Sequence, residues 1–164
     1  MDELSYAVLR YFNVAGADPD GRVGPRKTAP TSLIDIVVES ALKDEPVTIY
    51  GKDYLTADGT CIRDYIHVYD IAMGHIRALY YLRRGNESIT VNLGRGSGYS
   101  VKQIIKEVEN VHGSPIKSIE GGRRPGDLPC VIADNRLAKG RFDWSPEYTL
   151  HEMIKHLYTW KTKK

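Results

Sequence analysis

The sequence predicts an α/β fold, and three observations carry that prediction. Segments of strand character and segments of helical periodicity alternate along the chain. Tyr6 to Val14 is apolar at nearly every position and rich in β-formers, as in a strand buried on both faces of a parallel sheet. Two capping boxes, Ser100-Val101-Lys102-Gln103 and Thr149-Leu150-His151-Glu152, announce helix starts, since each pair of side chains satisfies amides that the first turn leaves without partners.

The elements follow in order. After Tyr6–Val14, the cluster Gly16, Asp18, Pro19, Asp20, Gly21, Gly24, Pro25 and Pro30 reads as a long loop. A helix is expected from Ser32 to Asp44, with Leu33, Ile36, Val37 and Ala41 at helical spacing. Val47 to Tyr50 is a short strand ending at Gly51, and Cys61 to His67 is another after a polar loop. Asp70 is placed to cap a helix running to Leu82, and Ser88 to Leu93 is a strand. Gly94, Gly96 and Gly98 make a tight turn before the helix opened by Ser100, which runs to His112. Pro115–Ile119 and Cys130–Ala133 read as strands, Asn135–Gly140 as a helical turn, and the last helix runs to Trp160.

Composition narrows the function classes. With 164 residues, 41% hydrophobic and 27% charged, the chain is globular and long enough to bury roughly two-thirds of its unfolded surface. Its 23 Lys and Arg against 21 Asp and Glu are too evenly balanced for nucleic-acid binding by charge. Cys61 and Cys130 alone cannot build a disulfide framework or a four-thiolate zinc site, which points to a reducing, cytoplasmic compartment. Met1 to Tyr6 shows no signal peptide, and no apolar run approaches the roughly 18 residues of a membrane helix. A soluble protein with no membrane and no nucleic-acid partner is expected.

Candidate chemistry is sparse. The Gly94–Gly98 turn has the strand–turn–helix context of a dinucleotide site, but a G-x-G-x-x-G pattern would need glycine where Tyr99 stands. His151 and His156 are five apart, which separates them by about 140° round a helix and rules against a zinc pair. Arg63 and Arg124 lie in separate segments and could clamp a diphosphate with their planar forks, while Asp127 could accept hydrogen bonds from a ribose diol. Surface ion pairs, Arg63 with Asp64 or Asp70 and Arg124 with Asp127, are the alternative. Asn13 stands at a strand end, where ligands of open sheets gather, or serves only the turn.

Taken in order, Leu9 to Ala17, Tyr50 to Tyr54, Asp58 to Asp70, Val91 to Gly94 and Arg123 to Pro129 resemble the C-terminal half of the UDP-glucose 4-epimerase family, extended members of the short-chain dehydrogenase/reductase superfamily. Asp58 to Asp70 is the most specific of these segments. The resemblance implies the C-terminal substrate-binding portion of an extended Rossmann-fold epimerase. Residues 1–15 would be a terminal strand of a mostly absent NAD-binding Rossmann domain, and residues 16–164 a UDP-sugar-binding domain. Residues from about 70 to 94 would pack back on the Rossmann sheet.

The family interconverts UDP-galactose and UDP-glucose through a 4-keto sugar, with NAD taking and returning a hydride. By resemblance, Phe12 and Tyr11 border the nicotinamide. Asn13 contacts the UDP-sugar, Ser32 and Leu33 cover the diphosphate, and Thr48, Ile49 and Tyr50 read uracil along a strand edge. Arg63 and Arg124 hold the diphosphate, Asp127 the ribose, and Val131 lines the hexose pocket. A Val at that place leaves space for an N-acetyl group. The alternatives are another UDP-sugar 4-epimerase, acting on an N-acetylhexosamine, pentose or uronate, or a non-catalytic UDP-sugar-binding fragment. The family's Tyr-x-x-x-Lys base is missing, because none of the 11 tyrosines has Lys four positions later, and the glycine fingerprint for NAD is missing too. The chain is therefore expected to supply no catalytic residue and bind no metal. It should be inactive alone, with NAD held only in the complete enzyme. A missing N-terminal half is its expected partner, with homodimerisation as a further option.

Overall fold

The computed structural model describes residues 4–26 and 30–163. The strand expected over Tyr6–Val14 divides at Phe12 into β1 (Ala7–Tyr11) and β2 (Asn13–Ala15). There follow α1 (Leu33–Lys43), β3 (Val47–Tyr50), β4 (Ile62–His67), α2 (Val68–Arg83), β5 (Ile89–Leu93) and β6 (Gly98–Ser100). The chain ends with α3 (Val101–His112), β7 (Ser118–Gly121), β8 (Cys130–Val131), α4 (Arg136–Phe142) and α5 (Leu150–Thr162).

The division at Phe12 lets one extended segment serve two sheets. β1 pairs in parallel with β5, from Ala7 opposite Ile89 to Tyr11 opposite Leu93. β2 pairs in parallel with β4, from Asn13 opposite Tyr65 to Ala15 opposite His67. β4 also carries β6 in antiparallel and β8 in parallel, so three strands meet on it in a four-stranded sheet. β3 and β7 form a separate parallel pair. Burial of the first strand on both faces is not observed. Val8 is 42% exposed and Tyr6 and Tyr11 are exposed as well. The apolar pattern there marks a surface that no described residue covers.

Two apolar cores result. The larger joins Ile34, Val37 and Val38 of α1, Val47 and Ile49 of β3, Ile104 and Val108 of α3, and Met153, Ile154 and Leu157 of α5, with Tyr65 beneath them. The smaller gathers Ile66, Ile71, Ala78, Val91, Leu93, Phe142 and Trp144 between β5, α2 and α4. Each fully buried Ile, Leu or Val contributes about 1.5–3 kcal/mol relative to exposure. On the outer side of α2, Ile76, Leu79 and Tyr80 are exposed.

Both capping boxes form as expected, and Ser32 caps α1. The cap of α2 differs from expectation. His67 accepts from Tyr69 N at 2.9 Å, while Asp70 lies in the first turn and faces inward. Its buried carboxylate accepts from Glu147 N at 3.0 Å and Tyr148 N at 3.3 Å, stapling the segment after α4 to α2. The strand expected over Pro115–Ile119 is shifted to Ser118–Gly121, because its ladder to β3 starts with Val47 opposite Ser118 and Pro115 has no amide to contribute.

The loop after β2 is fastened from both sides. Gly16, at φ +91°, passes so close to His67 that a Cβ there would stand 2.7 Å from Nε2. Trp160 Nε1 donates to Pro25 O at 3.0 Å, and Lys161 pairs with Asp35 at 2.7 Å, tying α5 to the loop and to α1. Among the described residues no helix is long and apolar enough to cross a membrane.

Candidate nucleotide-sugar site

A cleft of about 420 Å³ opens where α1, β2, β3, β4 and the loop after β7 converge. β4 supplies its floor by strand alternation. Cys61, just before the strand, and Arg63 and Tyr65 within it face the cleft, while Asp64 and Ile66 face away. Asn13, at the start of β2, lines one wall and donates from Nδ2 to Asp64 O at 2.8 Å. Ser32 and Leu33 bring the N-terminus of α1 to the opposite wall, where free amides and the helix dipole favour an anion. The Ser32 hydroxyl itself accepts from Asp35 N at 3.4 Å.

Thr48 and Tyr50 of β3 also line the cleft. The intervening Ile49 turns its side chain into the larger core. The guanidinium of Arg124 lies 4.0 Å from the Tyr50 ring centroid and makes no ion pair among the described residues. Arg123 instead stacks on Tyr54 and donates to Asp53 at 2.7 Å, outside the cleft lining.

Arg63 and Asp127 meet. Arg63 Nη2 donates to Asp127 Oδ1 at 3.1 Å, and Nη1 donates to Leu128 O at 2.7 Å and Ile62 O at 2.8 Å. The ion pairs weighed in the sequence, Arg63 with Asp64 or Asp70 and Arg124 with Asp127, are replaced by this one. Strand alternation sends Asp64 to the other side of β4, and Arg124 is held by the Tyr50 ring. Burial pushes the Cys61 thiol and the Tyr65 hydroxyl up, with the Arg63 charge opposing the shift in both. Burial thus favours the protonated thiol.

Eight of the expected site residues therefore share one cleft: Asn13, Ser32, Leu33, Thr48, Tyr50, Arg63, Arg124 and Asp127. Val131 does not line it, though β8 sets it directly opposite Arg63. Tyr11 and Phe12 lie elsewhere. The Tyr11 hydroxyl meets His75 Nε2 at 2.6 Å, and Phe12 N donates to Leu93 O. Cys61, Tyr65 and Thr31 line the cleft without having been singled out. For the first two, the period-two alternation around Arg63 was the signal.

The glycine turn cannot cradle a phosphate. The amides of Arg95 and Gly96 donate to the carboxylate of Asp64, each at 2.9 Å, so an internal anion already occupies that place. That turn therefore offers no dinucleotide cradle. Among the described residues no group of three or more His, Cys, Asp or Glu could hold a metal ion. His156 meets His67 at 3.1 Å, whereas His151 pairs with Glu107.

Residues 1–94 match the model of the NAD dependent epimerase/dehydratase family. The chain is 45% identical to a UDP-glucose 4-epimerase of Halalkalibacterium halodurans over 159 residues, 96% of this chain and 48% of that protein. Among solved structures it resembles a UDP-glucose 4-epimerase from Stenotrophomonas maltophila with bound NAD and formylated UDP-arabinopyranose, with TM-score 0.94 and 36% identity over 98% of this chain and 48% of that one. It also resembles the Bifidobacterium longum enzyme in complex with NAD+ and UDP, with TM-score 0.89 and 38% identity over 96% of this chain and 48% of that one. The chain spans about half the length of the relatives it matches. With more than half of its residues under the family model and a fold that superposes on these structures, the chain belongs to the NAD dependent epimerase/dehydratase family.

Proposed function

We propose that this chain is the UDP-sugar-binding portion of a UDP-glucose 4-epimerase. The observation that carries the reading is the meeting of Arg63 with Arg124 and Asp127 of one distant loop, in one cleft at a helix N-terminus. Two guanidinium forks and the α1 terminus suit a diphosphate. Asp127 is acceptor-only when ionised and suits a ribose diol. Thr48 and Tyr50, with the backbone of Ile49, form the edge that uracil would follow, and Asn13 stands where the sugar leaves the diphosphate. Val131 borders the hexose. Tyr11 and Phe12 are assigned to the nicotinamide edge of the complete enzyme.

NAD supplies hydride exchange at the sugar C4 when bound. The Stenotrophomonas and Bifidobacterium relatives carry NAD, one with formylated UDP-arabinopyranose and one with UDP. The residues here bind and orient the nucleotide sugar; the base and the cofactor cradle belong to an N-terminal Rossmann half. In this reading residues 1–15 and about 70–94 are part of that half's sheet, and residues 16–164 otherwise form the UDP-sugar domain. The separate small core around β5 and α2 and the exposed faces of β1 and α2 support the division. Self-association through the same faces is the competing arrangement. Free thiols at Cys61 and Cys130 accord with a cytoplasmic setting. Acceptance of an N-acetylhexosamine by the complete enzyme is a second reading favoured by the small Val131.

Calorimetry with UDP tests the cleft. Binding by the 164-residue chain is expected, and Arg124→Ala should weaken it about tenfold or more by removing a charge-assisted contact. No heat with UDP would refute the reading. Turnover of UDP-galactose with added NAD is expected to be absent for this chain and restored by an N-terminal Rossmann half. Clear turnover by the chain alone would refute the assigned division of labour.

A further inference from the structure

Asp64 is fully buried on the side of β4 opposite Arg63, outside the cleft. Its Oδ1 accepts from Arg95 N at 2.9 Å, and its Oδ2 accepts from Gly96 N at 2.9 Å and Ala133 N at 3.1 Å. Its carbonyl oxygen accepts from Asn13 Nδ2 at 2.8 Å. Three chain segments thus end on one residue: the head of β2, the turn between β5 and β6, and the stretch beyond β8.

The packing leaves no slack around this junction. A Cβ on Gly94 would stand 2.5 Å from the Ala133 Cβ and 2.9 Å from Asp64 Oδ2. β8 is only two residues long, and Val131 faces Arg63 across its ladder. The next hydrogen bond to β4 beyond that short ladder is the one from Ala133 to Asp64. The turn at Arg95 and Gly96 leads into β6, whose Gly98 lies opposite Asp64 itself.

We propose that Asp64 is a positioning residue of the nucleotide-sugar cleft, setting Asn13, Arg63 and Val131 relative to one another without touching ligand. The proposal rests on the reading of the cleft as a UDP-sugar site. Carboxylate chemistry is required because both oxygens accept. In Asp64→Asn, an amide nitrogen in place of Oδ2 would turn its N–H groups on the amides of Gly96 and Ala133, so donors would face donors. The strand then loses its hold on the stretch beyond β8 and on the turn, while its main-chain carbonyl still accepts from Asn13, so Arg63 and Asn13 lose their register with Val131.

The test compares UDP affinity by calorimetry in the wild-type chain, Asp64→Asn and Asp70→Asn. Asp70 is also a buried carboxylate that accepts two backbone amides, but it lies on α2, away from the cleft. Asp64→Asn is expected to weaken UDP binding at least about tenfold while folded by circular dichroism, and Asp70→Asn to stay within about twofold. Unchanged affinity in Asp64→Asn, or equal losses in both variants, overturns the positioning role. Amide exchange in the wild-type chain gives a second readout that stands if Asp64→Asn fails to fold. UDP should slow exchange at Gly96 and Ala133, and unchanged exchange there overturns the proposal. Absence of UDP binding by the wild type removes the reading of the cleft and this proposal together, whereas wild-type binding with an unaffected variant removes this proposal alone.

Discussion

Lowering the pH from about 7.5 to about 5 is expected to destabilise the fold through His67. The ring is fully buried at the junction of β4 and α2. Nδ1 is used by Tyr69 N, and Nε2 lies 3.1 Å from His156 Nδ1. Burial first, and then the neighbouring His156, brings the His67 pKa down to about 4, although Glu152 and Asp18 pull the other way. An unfolded histidine titrates near 6.5. Between these values the unfolded chain binds a proton that the folded chain refuses, so stability falls as pH falls. The full difference is about 3 kcal/mol, and about 2 kcal/mol of it is spent by about pH 5. Urea unfolding followed by Trp144 and Trp160 fluorescence measures this. His67→Asn retains an acceptor for Tyr69 N but does not titrate, so its advantage over wild type should grow by about 2 kcal/mol across that range. Glu39, Asp58 and Glu152 have lowered pKa values, and the stability they supply is lost only as pH falls below the ordinary carboxylate range. They act below the histidine window. Parallel pH profiles for wild type and His67→Asn would refute the argument.

Three other outcomes are expected. Gly16→Ala should destabilise by about 2 kcal/mol or more in urea unfolding, because alanine at φ +91° is strained and its methyl meets the buried His67 ring; a neutral effect would contradict the contact. Ser32→Ala should cost about 1 kcal/mol of stability through the lost cap while leaving UDP binding largely intact, since the α1 amides remain. A calorimetric loss of binding as large as that of Arg124→Ala would instead assign the hydroxyl to the ligand. Alkylation followed by mass spectrometry should reach the exposed Cys130 before Cys61, whose thiol is kept protonated by burial, and UDP should slow labelling of Cys61 further.

Helix starts were the most legible part of the sequence, because a capping box is a local pattern with a local cause. Ser100–Gln103 and Thr149–Glu152 both form. The start of α2 was misplaced because a histidine, a rarer cap, outcompetes Asp70, which the tertiary contact with Glu147 and Tyr148 draws inward. Pairing partners were invisible locally, so the strand at the start of the chain read as one element although β5 and β4 claim different halves of it. In the cleft, arginines in loops stood out by residue type. Cys61 and Tyr65 did not, since neither type announces a ligand and only strand alternation brings them beside Arg63. The long-range pairing of Arg63 with Asp127, 64 residues apart, had no sequence signature.

That pairing makes Asp127 an internal competitor for Arg63. A bare anion such as pyrophosphate must displace the carboxylate from the guanidinium and leaves it half-buried without a donor, at a cost. A nucleoside diphosphate brings its own replacement, because the ribose hydroxyls can donate to Asp127 while the phosphates take Arg63. In a cleft that takes a nucleotide sugar, as proposed, this contact would disfavour the inorganic anions that share the ligand's charge. Discrimination would then come from a self-inhibiting contact rather than from added affinity.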